Sequence, residues 1–128
     1  MGMNSFEALT TKQLCVAATR TATVTGTGVD IQGIEGDVLI NQSVGTVTGT
    51  SPTLDTKIQD SADNSSWADV SGATFTQVTA TPSTANAVTS LVLQARALRR
   101  YVRAVGTIAG TTPSFPLSVT MTYRAKTV

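Results

Sequence analysis

The chain has 128 residues, enough for one domain around one core; 41% of them are apolar but only 13% are charged, about half the usual share of a soluble domain. It has no histidine, which excludes Ser-His-Asp and Cys-His nucleophilic machinery and most zinc sites, and a single cysteine, Cys15, which excludes an intrachain disulfide. The net charge of +1 is unevenly spread: residues 1–69 carry three basic and eight acidic side chains, residues 70–128 six basic and none acidic.

Taken in order, "SFEALTTKQL" (5–14) spaces Phe6, Leu9 and Lys12 toward Cys15 in a weakly helical way, with Thr10 and Thr11 opposing it. Residues 1–25 read as an N-terminal arm or first strand, and 26–128 as the body of a single domain. Glu7 precedes the first lysine and the apolar run around Cys15 is short, so the segment makes a poor secretory signal, and nothing in the chain approaches a membrane span. Cys15, within "LCVAA", is expected to be a small buried hydrophobe.

Strand signals then dominate. "TATVTGTG" (21–28) and "VDIQG" (29–33) alternate briefly and break at glycines. "DVLINQSVGTV" (37–47) opens with three consecutive apolar residues, as expected where both faces of a strand are covered. "TLDTKIQDS" (53–61) places Leu54, Thr56 and Ile58 on one face, and "ATFTQVT" (73–79) and "SLVLQ" (90–94) follow. "LQARALRR" (93–100) has room for one helical turn between strands. "RRYVRAVGTI" (99–108) and "SFPLSVTMTYR" (114–124) close the chain, the latter with Phe115, Leu117, Val119, Met121 and Tyr123 on one face. About eight short strands at this spacing predict an all-β fold: an antiparallel β-sandwich, jelly-roll-like, in one domain.

One internal echo stands out. "VGTVTGTSPTLDTKI", from Val44, recurs 61 positions later as "VGTIAGTTPSFPLSV", from Val105. Gly49 and Gly110 supply positive φ, and Pro52 and Pro113 stand where a missing N–H is tolerated. The expectation is two equivalent hairpins sharing one turn type.

Chemistry is sparse. "GTGVDIQG" has Gly-x-Gly but no helical pattern after it, and no Gly-Lys-Ser/Thr occurs. The acidic loop "DSADNSSWADV" holds Asp60, Asp63 and Asp69 but lacks the glycine and final glutamate of an EF-hand, so Asx turns are expected there instead of an ion site. "RALRRYVR" (96–103) concentrates Arg96, Arg99, Arg100 and Arg103 around one tyrosine, too few aromatics for a nucleic-acid platform. These arginines are expected to meet acids of the first half or a partner protein. Trp67 is expected to pack over the end of the body beside its loop.

Four segments, Leu54–Gln59 (LDTKIQ), Ser61–Trp67 (SADNSSW), Phe75–Val78 (FTQV) and Arg100–Arg103 (RYVR), together resemble a type of small β protein found among the structural genes of tailed bacteriophages, most of all head decoration (cement) proteins. The resemblance spans residues 29–123. It implies a non-enzymatic virion protein on the capsid exterior, made in the host cytoplasm, that clamps neighbouring major capsid protein subunits and forms a homo-oligomer, a trimer. It implies no cofactor or metal, and no nucleic-acid, membrane or small-molecule partner. The candidate protein interface comprises Phe6 and Leu9 of the arm with Arg96, Arg99, Arg100 and Arg103. Alternatives are a tail or fibre module binding a host surface or carbohydrate, and a neck or tail connector subunit.

Overall fold

The computed structural model describes residues 9–81 and 85–125. Eight antiparallel strands follow in order: β1 (Leu9–Arg20), β2 (Val24–Thr25), β3 (Val29–Asp30), β4 (Ile34–Val44), β5 (Thr48–Ser61), β6 (Ala68–Thr74), β7 (Ala87–Gln94) and β8 (Tyr101–Ala125). No α-helix occurs among the described residues, and the turn expected near residue 95 is a 3-10 turn at Ala95–Ala97. The expected all-β, eight-stranded, single-domain fold holds, built as one sheet that bends nearly into a barrel.

The centre of the sheet is a long two-stranded ribbon. β8 pairs with β4 from Ile34↔Ala125 to Val44↔Leu117, then with β5 from Thr48↔Ser114 to Ser61↔Tyr101. On its other side β8 pairs with β1 along its second half and with β2 and β3 along its first. β7 extends the sheet beyond β4, and β6 extends it beyond β5. The ribbon therefore runs through two layers, β1-β8-β4-β7 and β3/β2-β8-β5-β6, and must turn a corner between them.

The sequence echo is that corner. The two copies are not hairpins. They are the two strands of the ribbon itself, crossing antiparallel with Thr50 opposite its own equivalent, Thr111. Gly49 (φ +120°) and Gly110 (φ +117°) bend both strands, and Ser51 (φ +49°) and Thr112 (φ +47°) follow in the left-handed region. Register shifts flank Thr50, so each copy forms bulges that bend a strand without reversing it, and the prolines sit where the ladder is interrupted. A Cβ on Gly49 would stand 2.8 Å from the Thr112 carbonyl oxygen, and one on Gly110 2.7 Å from that of Ser51. The constraint is reciprocal: each glycine is required by the backbone of the other copy.

Beyond the corner both copies turn the same side chains inward. Leu54, Ile58, Phe115, Leu117, Val119 and Met121 are buried, meeting Val38, Ile40 and Val102 in one core. In β8 the bulge switches the inward phase from even positions (Val102, Ala104) to odd ones (Phe115, Leu117), so one 25-residue strand serves both layers.

Other expectations change. Leu9–Arg20 is a strand, not a helical stretch: its threonines favour extended backbone, and it pairs with β8 from Leu9↔Arg124 to Arg20↔Phe115. Two register shifts in β1 let the consecutive residues Leu14 and Cys15 both enter the core, so residues 9–20 form a first strand, one of the two readings of residues 1–25, within the domain's own sheet. Within 21–33 only two short pieces pair, β2 and β3. β6 ends at Thr74, yet Phe75 and Val78 stay buried because Val78 bridges Leu54 through two backbone hydrogen bonds of 2.9 Å.

Two substitutions test this frame. Gly110→Ala is expected to cost about 2–4 kcal/mol in urea unfolding, whereas Gly33→Ala, at positive φ but facing open space, costs about 1 kcal/mol. Equal small losses would contradict the crossing. Phe115→Ala, fully buried, is expected to cost about 3–5 kcal/mol in the same assay.

Candidate functional site

The arginine flank lies where β8 begins beside the ends of β3 and β5, which brings the basic second half of the sequence against the acidic first half. Arg99 donates from its backbone N–H (3.1 Å) and Nε (2.9 Å) to the Asp60 carboxylate and from a terminal guanidinium nitrogen to the Asp60 carbonyl oxygen (2.7 Å). Asp60 continues the inward face of β5 and is only 9% exposed, so the guanidinium compensates a nearly buried carboxylate. Arg100 forks onto Asp30 at 2.9 and 3.2 Å and lies 5.1 Å from the Tyr101 ring centre. Arg103 stacks 4.3 Å above the Trp67 ring and donates to Gln59 Oε1 (2.9 Å). Arg96 stands apart, donating to Gln94 Oε1 at the rim of a cleft of about 330 Å³ with Ile34, Gly36 and Asp37.

All four candidate arginines thus have partners in their own chain, three of them on another strand. Leu9 is 42% exposed at the start of β1, opposite Arg124, far along the chain from the arginine cluster. Phe6 lies outside the described residues. Trp67 packs as expected beside its loop: a Cβ on Gly28 would meet its ring at 2.9 Å, and Arg103 covers a face of that ring.

The acidic loop folds on itself. Asp63 accepts from the backbone N–H groups of Ser65 (3.0 Å) and Ser66 (2.9 Å) and from the Ser61 hydroxyl (2.9 Å), an Asx-type turn. Asp60 points to Arg99, and Asp69 to Lys57 and Gln59. The three carboxylates diverge, and among the described residues no group of three His, Cys, Asp or Glu side chains is placed to hold a metal. Burial pushes the Cys15 thiol up, against the opposing pull of the Arg20 charge.

Sequence reasoning missed a second surface. The middle of the outer face of β8-β4-β7 presents Ser118 and Thr120, then Leu39, Asn41 and Ser43, then Val88, Ser90 and Val92, an uncharged patch with Asp37 at one end of β4 on the same face. Leu39, whose apolar neighbours implied a strand covered on both faces, is 37% exposed, and Val88 and Val92 are 66% and 62% exposed. The readable signal was "AVTSLVLQ", eight residues with apolar side chains on both faces and no charge.

No known protein family matches the chain by sequence, and no curated protein does. Among solved structures, the PBSX exported protein XepA matches over 93% of this chain with a TM-score of 0.59 and 15% identity. This chain spans 38% of the XepA chain. A structure of infectious bursal disease virus, Gx strain, matches over 91% of this chain and 32% of that one, with a TM-score of 0.43 and 11% identity. At such identities the XepA likeness establishes a shared fold.

Hydrogen bonds hold three aspartates below the usual carboxylate range: Asp30 chiefly through Arg100, Asp63 chiefly through the Ser66 N–H, and Asp69 chiefly through the Gln59 amide and then Lys57. Depressed native values mean that this stabilisation is complete above the unfolded pKa of about 4 and is lost as pH falls through the native ones. Thermal melts are expected to show a Tm that is level from neutrality down to about pH 4.5 and falls below about pH 4, with Asp63→Ala flattening part of that fall. A Tm rising on acidification contradicts the assignment. Arg99→Ala is expected to lower stability by about 1–2 kcal/mol, discounted for the half-exposed guanidinium, while Arg100→Ala leaves the urea midpoint nearly unchanged.

Proposed function

We propose that this chain is a non-enzymatic virion structural protein of a bacteriophage, seated on the capsid exterior, where it decorates and stabilises the shell by clamping neighbouring major capsid protein subunits. The observation that carries the reading is the pairing of a corner-braced β body with an uncharged patch on its outer face, Leu39 to Ser43 beside Val88 to Val92, suited to lie against protein. The motif resemblance across residues 29–123 and the fold shared with an exported protein of the phage PBSX point the same way. Divergent carboxylates, a chain without histidine and an arginine flank engaged with its own acids give no convergent set of groups for catalysis. Attachment at several shell joints adds avidity without strong single contacts, which suits a surface of threonine, serine and a few exposed valines.

A carbohydrate-binding tail or fibre module is less well supported, because Arg103 already occupies a face of the only tryptophan. Synthesis in the host cytoplasm and a homotrimeric state belong to the decoration reading through the resemblance.

The test adds purified protein to heads of the parent phage that lack it. Co-sedimentation with expanded heads and a raised temperature of shell disruption are expected. No binding to heads, with binding instead to host cells or isolated host glycans, overturns the proposal in favour of the tail module.

A further inference from the structure

Edge strands expose unpaired backbone donors and acceptors, and proteins normally blunt them with charge, bulges, proline or shortness. In this molecule the blunting is selective. β1 carries Lys12 and Arg20 and two register shifts. β2 and β3 have two residues each. β6 holds Asp69, a register shift and Gly72 at φ +75°. β7 has none of these devices. Its eight residues pair with β4 in unbroken register from Asp37↔Gln94 to Val44↔Ala87, and it contains no charge, proline or glycine. Its far edge has no ladder partner among the described residues.

We propose that this edge is the self-association surface of the chain, two copies joining β7 to β7 antiparallel across a two-fold axis at Ser90. The occupant is a second copy because the strand complements itself. A continuous sheet requires outward residues opposite outward residues, which limits the pairing to registers that preserve face. With Ser90 opposite Ser90, Val88 of each copy meets Val92 of the other, and both valine pairs are covered at once. Registers centred on Val88 or Val92 oppose only one valine pair. Leu39, opposite Val92 on β4, extends each apolar cluster, and Asn41, hydrogen-bonded to Ser90, lies beside the axis. An uncharged strand meets its own copy without like-charge repulsion, which a strand such as β1 does not. An isologous contact of this kind closes as a dimer and joins the two uncharged patches into one continuous surface. It gives a dimer where the motif resemblance implies a trimer, and the molar mass separates the two.

The inference stands on the edge chemistry and holds whether or not the chain binds a shell. The experiment measures molar mass by light scattering and sedimentation across a concentration series, for the native chain, Ser90→Lys, Val92→Lys and the control Thr107→Lys on the opposite layer. Circular dichroism confirms that each variant is folded, which the exposure of Ser90 and Val92 favours. The expected result is a native dimer, dissociation weakened about tenfold or more by either β7 lysine, and no effect at Thr107. A second measurement uses Ser90→Cys, which is expected to form an oxidised covalent dimer where Thr107→Cys does not; Cys15 is buried and stays out of the reaction. A native chain that is monomeric throughout, or an oligomer of any size that the β7 lysines leave intact, overturns the proposal.

Discussion

Everything in this fold depends on two backbones crossing in a space that admits no Cβ. Gly49 lies against the Thr111–Pro113 backbone, and Gly110 against the Ser51–Pro52 backbone, around the Thr50↔Thr111 pair. That mutual approach bends both strands of the ribbon together, so β4-β5 and β8 leave the corner still paired. Were only one strand to bulge, the ladder would splay and the two layers would share no common strand. With both bulging, β8 passes from one layer to the other and brings Phe115 to Met121 beneath Leu54 and Ile58. The central pairing therefore remains continuous where two layers would otherwise meet only through side chains.

The same folding of the sheet disposes of the charge. The acids of the first half and the arginines of the second are far apart in sequence, but β8 runs antiparallel to β5 and beside β3. That geometry delivers Arg99 to Asp60 and Arg100 to Asp30. The uneven spread of charge along the sequence is thus neutralised in part by pairing at one end of the β5-β8 layer, while the middle of the other layer's outer face, Leu39 to Ser43 beside Val88 to Val92, carries no charge. A protein surface laid on that patch would not have to strip water from charged groups.

Much of this was legible in the residues. Period-two alternation located β5 and the second half of β8, including five inward side chains from Phe115 to Tyr123. The Asx loop at Asp63 and the burial of Cys15 followed from local chemistry. The echo was visible as well, but its meaning was not: Gly-Thr-Ser-Pro codes equally for a hairpin turn and for a bulge, and only the long-range partner decides between them. β1 was obscured because helical spacing and extended propensity conflict in "EALTTKQL", and pairing with β8 settled the conflict. The neutral face stayed hidden because three apolar residues in a row, Val38 to Ile40, read as a strand covered on both sides, whereas Leu39 faces outward on an unpartnered surface. Arg99, Arg100 and Arg103 are brought near one another by the start of β8, where each has a partner in its own chain, and only Arg99 meets a nearly buried carboxylate.

The proposed role, repeated attachment to a protein lattice, rests on the uncharged patch of Leu39 to Ser43 beside Val88 to Val92. The most direct measurement is the copy number of the chain in purified parent-phage particles, by quantitative mass spectrometry against the major capsid protein. The account predicts a number on the order of hundreds per particle, in fixed ratio to the shell subunits, as lattice attachment requires. A count of about a dozen or fewer, as closed rings at a neck or tail provide, or absence from the particle, would contradict it.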